Sequence, residues 1–303
     1  MVEQCEQADI TNFNIDFLLV GVAKGGTSSI ASMVEKSICL QSPKFKETGF
    51  WSSASIWYKN CPKLGWFHKK QISDWDLYRK EFSSNPKLKT FEASPDYFYH
   101  SDLVIERLKS LNQKPNIWII LRNPVRRAYS HYLHFIRDGV FDDDMNFIDA
   151  FHQDKLCENS WSLDIRGAGE YAKDLENYLT SGLNVQVDIF EELFSCDEIL
   201  FARMNDFFNM EIYTGDIPLE NKSGQPRSQY LMRMLTSDNK FKLLIRKFMW
   251  PRFRNWIYRK IEFINLKKVP ISKEDNKKAL EFYEKDIEKV SSLLGRDLKH
   301  YWR

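Results

Sequence analysis

Apolar residues fall along this chain in short blocks separated by mixed, charged stretches. Ile15-Asp16-Phe17-Leu18-Leu19-Val20-Gly21-Val22 is the first such block, and it ends around a glycine. A short apolar run bounded in this way reads as a strand buried on both faces, as in a parallel sheet. The next residues, Ala23–Thr27, predict a loop, and Ser28–Ser37 a helix. A second buried strand is expected at Asn116-Ile117-Trp118-Ile119-Ile120-Leu121, followed by Arg122-Asn123-Pro124 and a helix through about Arg137. Thr90–Ala93 and Val185–Phe190 read as further strands. Ser101–Leu111, Glu170–Thr180, Asp197–Phe208 and Lys273–Leu294 read as helices. Strands alternating with helices imply an α/β fold, a parallel sheet flanked by helices. No repeat, low-complexity tract or Pro/Gly-rich linker interrupts the pattern, so one domain over residues 1–303 is expected.

Composition narrows this only a little. The chain is 43% hydrophobic and 28% charged, as folded globular proteins are. Its 44 Lys and Arg nearly balance 42 Asp and Glu, so the molecule as a whole carries no signature of nucleic-acid binding. The five cysteines (Cys5, Cys39, Cys61, Cys157, Cys196) are scattered, with neither CxxC pairs nor metal-ligand spacing. They suggest a reducing compartment. With no visible signal peptide and no apolar run near the roughly 20 residues that span a bilayer, the expectation is a cytoplasmic protein.

Gly21-Val22-Ala23-Lys24-Gly25-Gly26-Thr27-Ser28-Ser29 joins the first expected strand to the first expected helix. Glycines let successive N–H groups turn toward an anion, and the helix N-terminus adds partial positive charge. Lys24 adds a full charge; Thr27 and Ser28 add hydroxyl donors. The loop therefore reads as a phosphate cradle rather than an ordinary Gly-rich turn. It departs from the kinase pattern G-x-x-x-x-G-K-[ST]: Thr27 follows the last glycine, and the lysine lies inside the loop. Arg122 ends the second strand where a magnesium site wants Asp. These features point to a nucleotide whose reactive end needs no metal.

The second motif is Leu121-Arg122-Asn123-Pro124-Val125-Arg126-Arg127-Ala128-Tyr129-Ser130-His131-Tyr132. Arg122 closes a strand, where open α/β sheets place ligands. Pro124 suits a first helical turn, which puts Ser130 almost two turns further on. An Arg fork and a Ser hydroxyl suit a second phosphate. The two motifs together, about a hundred residues apart, resemble those of the sulfotransferases that use 3′-phosphoadenosine 5′-phosphosulfate (PAPS). The resemblance runs from about Ile15 to the C-terminus, where Phe282–Trp302 is similar to that family's closing helix. It implies a P-loop-like fold with a nucleotide-binding core at about 15–235 and a closing helix at about 272–294. It implies PAPS as donor and 3′-phosphoadenosine 5′-phosphate (PAP) as product, with no metal. Lys24, Gly25, Gly26, Thr27 and Ser28 would hold the 5′-phosphosulfate, and Arg122 and Ser130 the 3′-phosphate. Lys222–Ser228 is similar in position to a late loop over the nucleotide, which adds Arg227 and Ser228.

Ser42-Pro43-Lys44-Phe45-Lys46-Glu47-Thr48-Gly49-Phe50-Trp51 looks like the carbohydrate (heparan-type) and bacterial branch of that family. There a Glu before an aromatic pair is the catalytic base, which by match is Glu47; Lys24 would meet the charge growing on the leaving nucleotide. The chain departs from the heparan enzymes at Gly49, where they often have His, and at Ala93, where they have Lys. The implied acceptor is thus a hydroxyl or amine, of a carbohydrate by branch, without heparan specificity. Asp96 and His100 stand in reserve as base or acceptor contacts, and His131 and His134 read as structural. On the residues, two alternatives stay open: a kinase using Mg-ATP, and a non-catalytic nucleotide-binding relative.

Between Lys240 and Lys268 ten Lys and Arg face a single acid, Glu262, among interleaved aromatics. Such a stretch is a solvated amphipathic face, a surface for an anionic glycan, or a dock for an anionic membrane.

Overall fold

A computed structural model of the chain describes residues 13–52, 72–83, 85–138, 140–141, 144–153, 164–212, 225–226, 265–267 and 269–302. Five parallel strands form the central sheet: β1 (Phe17–Gly21), β2 (Leu40–Gln41), β3 (Lys89–Ala93), β4 (Asn116–Leu121) and β5 (Val185–Ile189). Their order is β2-β3-β1-β4-β5, which puts β1 at the centre, with Phe17 paired to Phe91 on one side and Asn116 on the other. Ten helices among the described residues connect and cover these strands. They are α1 (Thr27–Val34), α2 (Trp75–Lys80), α3 (Asp96–Tyr99), α4 (Ser101–Ser110), α5 (Pro124–Asp138), α6 (Phe147–His152), α7 (Ala172–Thr180), α8 (Phe190–Leu193), α9 (Asp197–Phe208) and α10 (Lys273–Leu294). A short antiparallel pair, β6 (Gln225–Pro226) with β7 (Leu266–Lys267), lies apart from the sheet.

Alternation along the strands sorts the core into two layers. Leu18, Val20, Ile117, Ile119 and Leu121 join one cluster with Val104 of α4, Leu175 of α7 and Tyr283 and Ile287 of α10. Phe17, Leu19, Trp118 and Ile120 join the other, with Met33 of α1 and Met204, Phe207 and Phe208 of α9. Helices thus cover both faces of the sheet, which is why its strands read as unbroken apolar runs. Each fully buried large apolar side chain contributes about 1.5–3 kcal/mol from removal of its surface from water.

Most of the expected elements are present, with shifted ends. The first helix stops at Val34 rather than Ser37, because the chain turns through Ser37–Cys39 into β2, with Cys39 N donating to Ser37 Oγ at 3.2 Å. Phe190, expected as the last residue of a strand, instead begins α8. No helix among the described residues is long and apolar enough to cross a membrane. Cys39 and Cys196 are free, exposed thiols.

Candidate active site

β3, β1 and β4 lie side by side, and the carboxyl end of each is followed at once by residues that carry chemistry, where open α/β sheets place ligands. After β1 the loop turns tightly: Gly25 N donates to Val22 O at 2.8 Å, and Val22 N to Ile120 O at 3.0 Å. Lys24 and Gly26 both take left-handed φ angles, 70° and 86°. A Cβ at Gly25 would lie 2.8 Å from the carbonyl oxygens of both Ile120 and Val22, backbone atoms that cannot yield. Only glycine fits there. Gly26 caps α1 without a side-chain hydrogen bond, so the first N–H groups of the helix lack a side-chain acceptor. Thr27 is buried at the start of that helix and Ser28 is partly exposed.

Lys24 is sparsely exposed among charges. Burial brings its ammonium down to about 7, helped by Arg137 and Arg122 and opposed by Asp138 and Glu47. Arg122 reaches into the same loop, its Nη1 donating to Lys24 O at 2.6 Å. Its guanidinium lies 4.6 Å from the Phe190 ring centroid, and its Nε is buried with no partner among the described residues. Burial also lowers its pKa, with Glu191 opposing. A buried donor without an acceptor is costly, and an anion relieves it.

Asn123 organises what surrounds Arg122. Its Oδ1 accepts from Arg126 N at 3.0 Å, capping α5, and its Nδ2 donates to Trp302 O at 2.9 Å. Glu191 completes the clasp, accepting from Asn123 N at 3.1 Å and from Trp302 Nε1 at 3.3 Å. The C-terminal tail is therefore docked on the second motif. Ser130 is buried on α5.

One turn and more beyond Ser130 on the same helix, His134, Arg137 and Asp138 form a charged group whose field reaches Lys24. His134 lies 3.5 Å from Asp138 and bonds Arg137 through Nδ1, and burial, then Lys24 and Arg137, push its pKa well down. Both partners lie on its own helix, where positions 130, 134, 137 and 138 recur at helical spacing on one face. His131, by contrast, is buried against Arg127, Nδ1 to Nη1 at 3.2 Å, as a structural histidine is.

The segment before α2 folds back over the loop. Lys46 Nζ donates to Ser28 Oγ at 2.6 Å and lies 3.4 Å from a Glu47 oxygen. Lys46 was not singled out from sequence; a lysine in a Lys-rich segment carries no signal by itself. Glu47 is one-third exposed and holds a left-handed φ of 61°, unusual for a residue with a Cβ. Its neighbours hold it there: Thr48, Phe50 and Trp51 are buried, and Thr48 Oγ1 accepts from Phe50 N at 3.2 Å. Asp96, after β3, is buried and accepts from Ser52 Oγ at 2.5 Å. Burial raises its carboxyl to about 7, Ser52 opposes this, and Glu47 and Glu92 add to it. His100 stands at the junction of α3 and α4, its backbone N donating to Asp96 O at 3.2 Å and its ring edge-on to Tyr99 at 5.3 Å.

The structure thus brings Lys24, Gly25, Gly26, Thr27, Ser28, Arg122, Glu47 and Asp96 to one end of the sheet. Arg227, Ser228 and all of 240–268 except Asn265, Leu266 and Lys267 lie outside the described residues. Among the described residues no cluster of three or more His, Cys, Asp or Glu is placed to hold a metal.

A family model for the sulfotransferase domain matches residues 14–200, more than half of the chain and all five strands of the sheet. The chain belongs to the sulfotransferase domain family. Its fold is similar to that of a sulfotransferase from Alicyclobacillus acidocaldarius, at 20% identity over 96% of this chain and 100% of that one, with a TM-score of 0.66. A mouse sulfotransferase, SULT7A1, solved with PAP, aligns at 18% identity over 96% of this chain and 92% of that one, with a TM-score of 0.48. Among curated proteins no significant sequence match is found. Membership in the sulfotransferase family supports an enzyme of sulfuryl transfer, and the P-loop-like α/β fold expected from sequence is the fold observed.

Proposed function

We propose that this sulfotransferase moves a sulfuryl group from PAPS to a hydroxyl or amine of a carbohydrate acceptor. The observation that carries the donor is the cationic surround of the loop. Lys24, Lys46, Arg122 and Arg137 gather about an uncapped helix N-terminus, and Arg122 keeps a buried Nε with no partner among the described residues. The loop from Lys24 to Ser28 fits the 5′-phosphosulfate, and Arg122 with Ser130 fits the 3′-phosphate. The carbohydrate acceptor is supported by the Lys46-Glu47 pair ahead of Phe50-Trp51, and by the basic aromatic stretch 240–268, which suits an anionic glycan.

In the reaction the acceptor oxygen or nitrogen attacks sulfur in line with the bridging oxygen of the leaving nucleotide. The S–O bond to phosphate breaks, its electron pair departs with PAP, and the acceptor proton passes to Glu47. Lys24 meets the charge that grows on the departing oxygen, where a positioned cation acts most strongly. Lys46, held between Ser28 and Glu47, keeps the base side and the donor side in register.

Calorimetric titration with PAP tests the donor, and Arg122→Ala tests its 3′-phosphate. Wild type binds PAP without added metal and prefers it to Mg-ATP. Loss of a charge-assisted hydrogen bond costs Arg122→Ala about 1.5–3 kcal/mol toward PAP and far less toward adenosine 5′-phosphosulfate, which lacks that phosphate. Tight Mg-ATP binding with indifference to PAP overturns the donor; equal losses for both ligands make Arg122 a structural residue.

A further inference from the structure

Glu92 is a carboxyl side chain in the core strand β3, with no exposed surface. Its oxygens collect four hydroxyls. Oε1 accepts from Thr48 Oγ1 at 2.6 Å, Tyr97 OH at 2.6 Å and Ser94 Oγ at 2.8 Å, and Oε2 accepts from Tyr78 OH at 2.6 Å. Among the described residues no Lys or Arg pairs with it. Phe91 and Ala93 point to the opposite face of β3 and join the other apolar layer, while Glu92 lies on the side of Tyr78 and Tyr97. What the carboxyl adds is direction: it ties together hydroxyls from the 48–52 segment, α2, the end of β3 and α3.

Two of those hydroxyls sit next in the chain to the two carboxyls of the acceptor side. Thr48 follows Glu47, and Tyr97 follows Asp96. Ser52 makes a second link, donating to Asp96 Oδ2 at 2.5 Å and lying 3.2 Å from Gly49 O. Glu47 meanwhile holds a left-handed backbone that a side chain adopts only when its surroundings fix it.

We propose that Glu92 is a positioning residue whose hydroxyl hub, acting through Thr48 and Tyr97, fixes the direction and separation of Glu47 and Asp96 at the acceptor side of the site. The inference deepens the reading of Glu47 as the base and rests on it. Glu47 and Glu92 are the charged groups acting on Asp96, Ser52 donates to it, and the Tyr97 and Tyr178 phenols lie beside it.

Glu92→Gln keeps the shape but puts an amide NH₂ where one oxygen accepted. PAP affinity stays within about twofold of wild type, while kcat falls at least about tenfold, since misplacing a reacting group by an ångström costs up to ~10²-fold. In side-chain carbon-13 NMR, Asp96 titrates at lower pH once the Glu92 charge is gone. Thr48→Val removes one link and leaves the carboxylate. It lowers kcat in the wild-type background and not in Glu47→Gln, because it acts through Glu47. An unchanged kcat in Glu92→Gln, or kcat, PAP affinity and melting temperature falling together, overturns the proposal. So does a Thr48→Val effect that adds fully to Glu47→Gln, and this cycle decides alone should Glu92→Gln fail to fold. A wild type without sulfuryl transfer sinks the reaction instead; the hub is then read from amide exchange, which quickens at 47–52 and 96–98 in Glu92→Gln at unchanged melting temperature, and unchanged exchange there overturns it.

Discussion

Lys24 sits where a cation is least comfortable in the free protein and, on the proposed reading, most useful in the liganded one. Burial and two arginines bring it down to about 7, far below its unfolded range. The sign of its effect on stability follows. A lysine whose folded pKa is depressed penalises the fold fully below about 7, and the penalty fades as pH rises toward the unfolded value near 10.4. Lys24→Met removes both the penalty and the charge. Its ligand-free melting temperature at pH 7 therefore lies above that of wild type, while its PAP affinity is weaker, an exchange common at functional sites. Differential scanning calorimetry with a parallel titration reads both. The pH profile gives a second check: an anion favours the protonated amine, so wild-type PAP affinity declines as pH rises through and above about 7, and in Lys24→Met that decline is lost. A variant that melts lower and keeps its affinity would show Lys24 to be a structural residue.

At the scale of elements, the C-terminal tail and the second motif behave as one unit. Asn123 both caps α5 and holds Trp302, so Asn123→Ala loses a cap, about 0.5–2 kcal/mol, and strands a buried carbonyl, about 1–3 kcal/mol. Asn123→Ser keeps a capping oxygen and lies between the alanine variant and wild type in urea unfolding; equal losses would mean that the cap contributes nothing. This clasp was not legible in the sequence, where Asn123 is one letter of a phosphate motif and Trp302 lies at the far end. The elements themselves were legible wherever pattern and punctuation agreed. α10 has the limits expected, Lys273–Leu294, because Ser272 caps it through Asp275 N and Gly295 ends it at a φ of 61°. β4 and α9 are likewise as expected. The helices at Trp75–Lys80, Asp96–Tyr99 and Phe147–His152 went unseen, because four to six residues cannot form a helix on propensity alone and are held by tertiary packing. Of the site, the Gly-rich loop and Arg122 could be read from local pattern. Glu47 needed the family resemblance, and Lys46 and Glu92 needed the fold, since the contacts that tie them to the site, Lys46 to Ser28 and Glu92 to Thr48, span 18 and 44 residues.

For the molecule as a whole, the site joins parts of the chain that are far apart in sequence. β1 supplies the loop, β4 the arginine, β3 and the 46–52 segment the carboxyls, α5 the second ring of charge, and the tail the clasp behind Arg122. On the proposed reading, a donor bridging loop and second motif binds the folded state alone and stabilises it by mass action, about 2.7 kcal/mol at a hundred times its Kd. Hydrogen exchange shows where that stability goes. With PAP bound, amides of 22–30 and of 122–130 slow first, being in direct reach of the anion. The tail 296–302 slows with them, because Asn123 and Glu191 tie Trp302 to Arg122's neighbour. The Ile105–Gln113 end of α4 and its following turn, at the amino-terminal end of the strands, where Gln113 Oε1 accepts from Ile15 N at 3.0 Å, slows only as far as global unfolding slows. Protection confined to the loop, with the tail unchanged, would separate the C-terminal clasp from donor binding and leave it a matter of fold stability only.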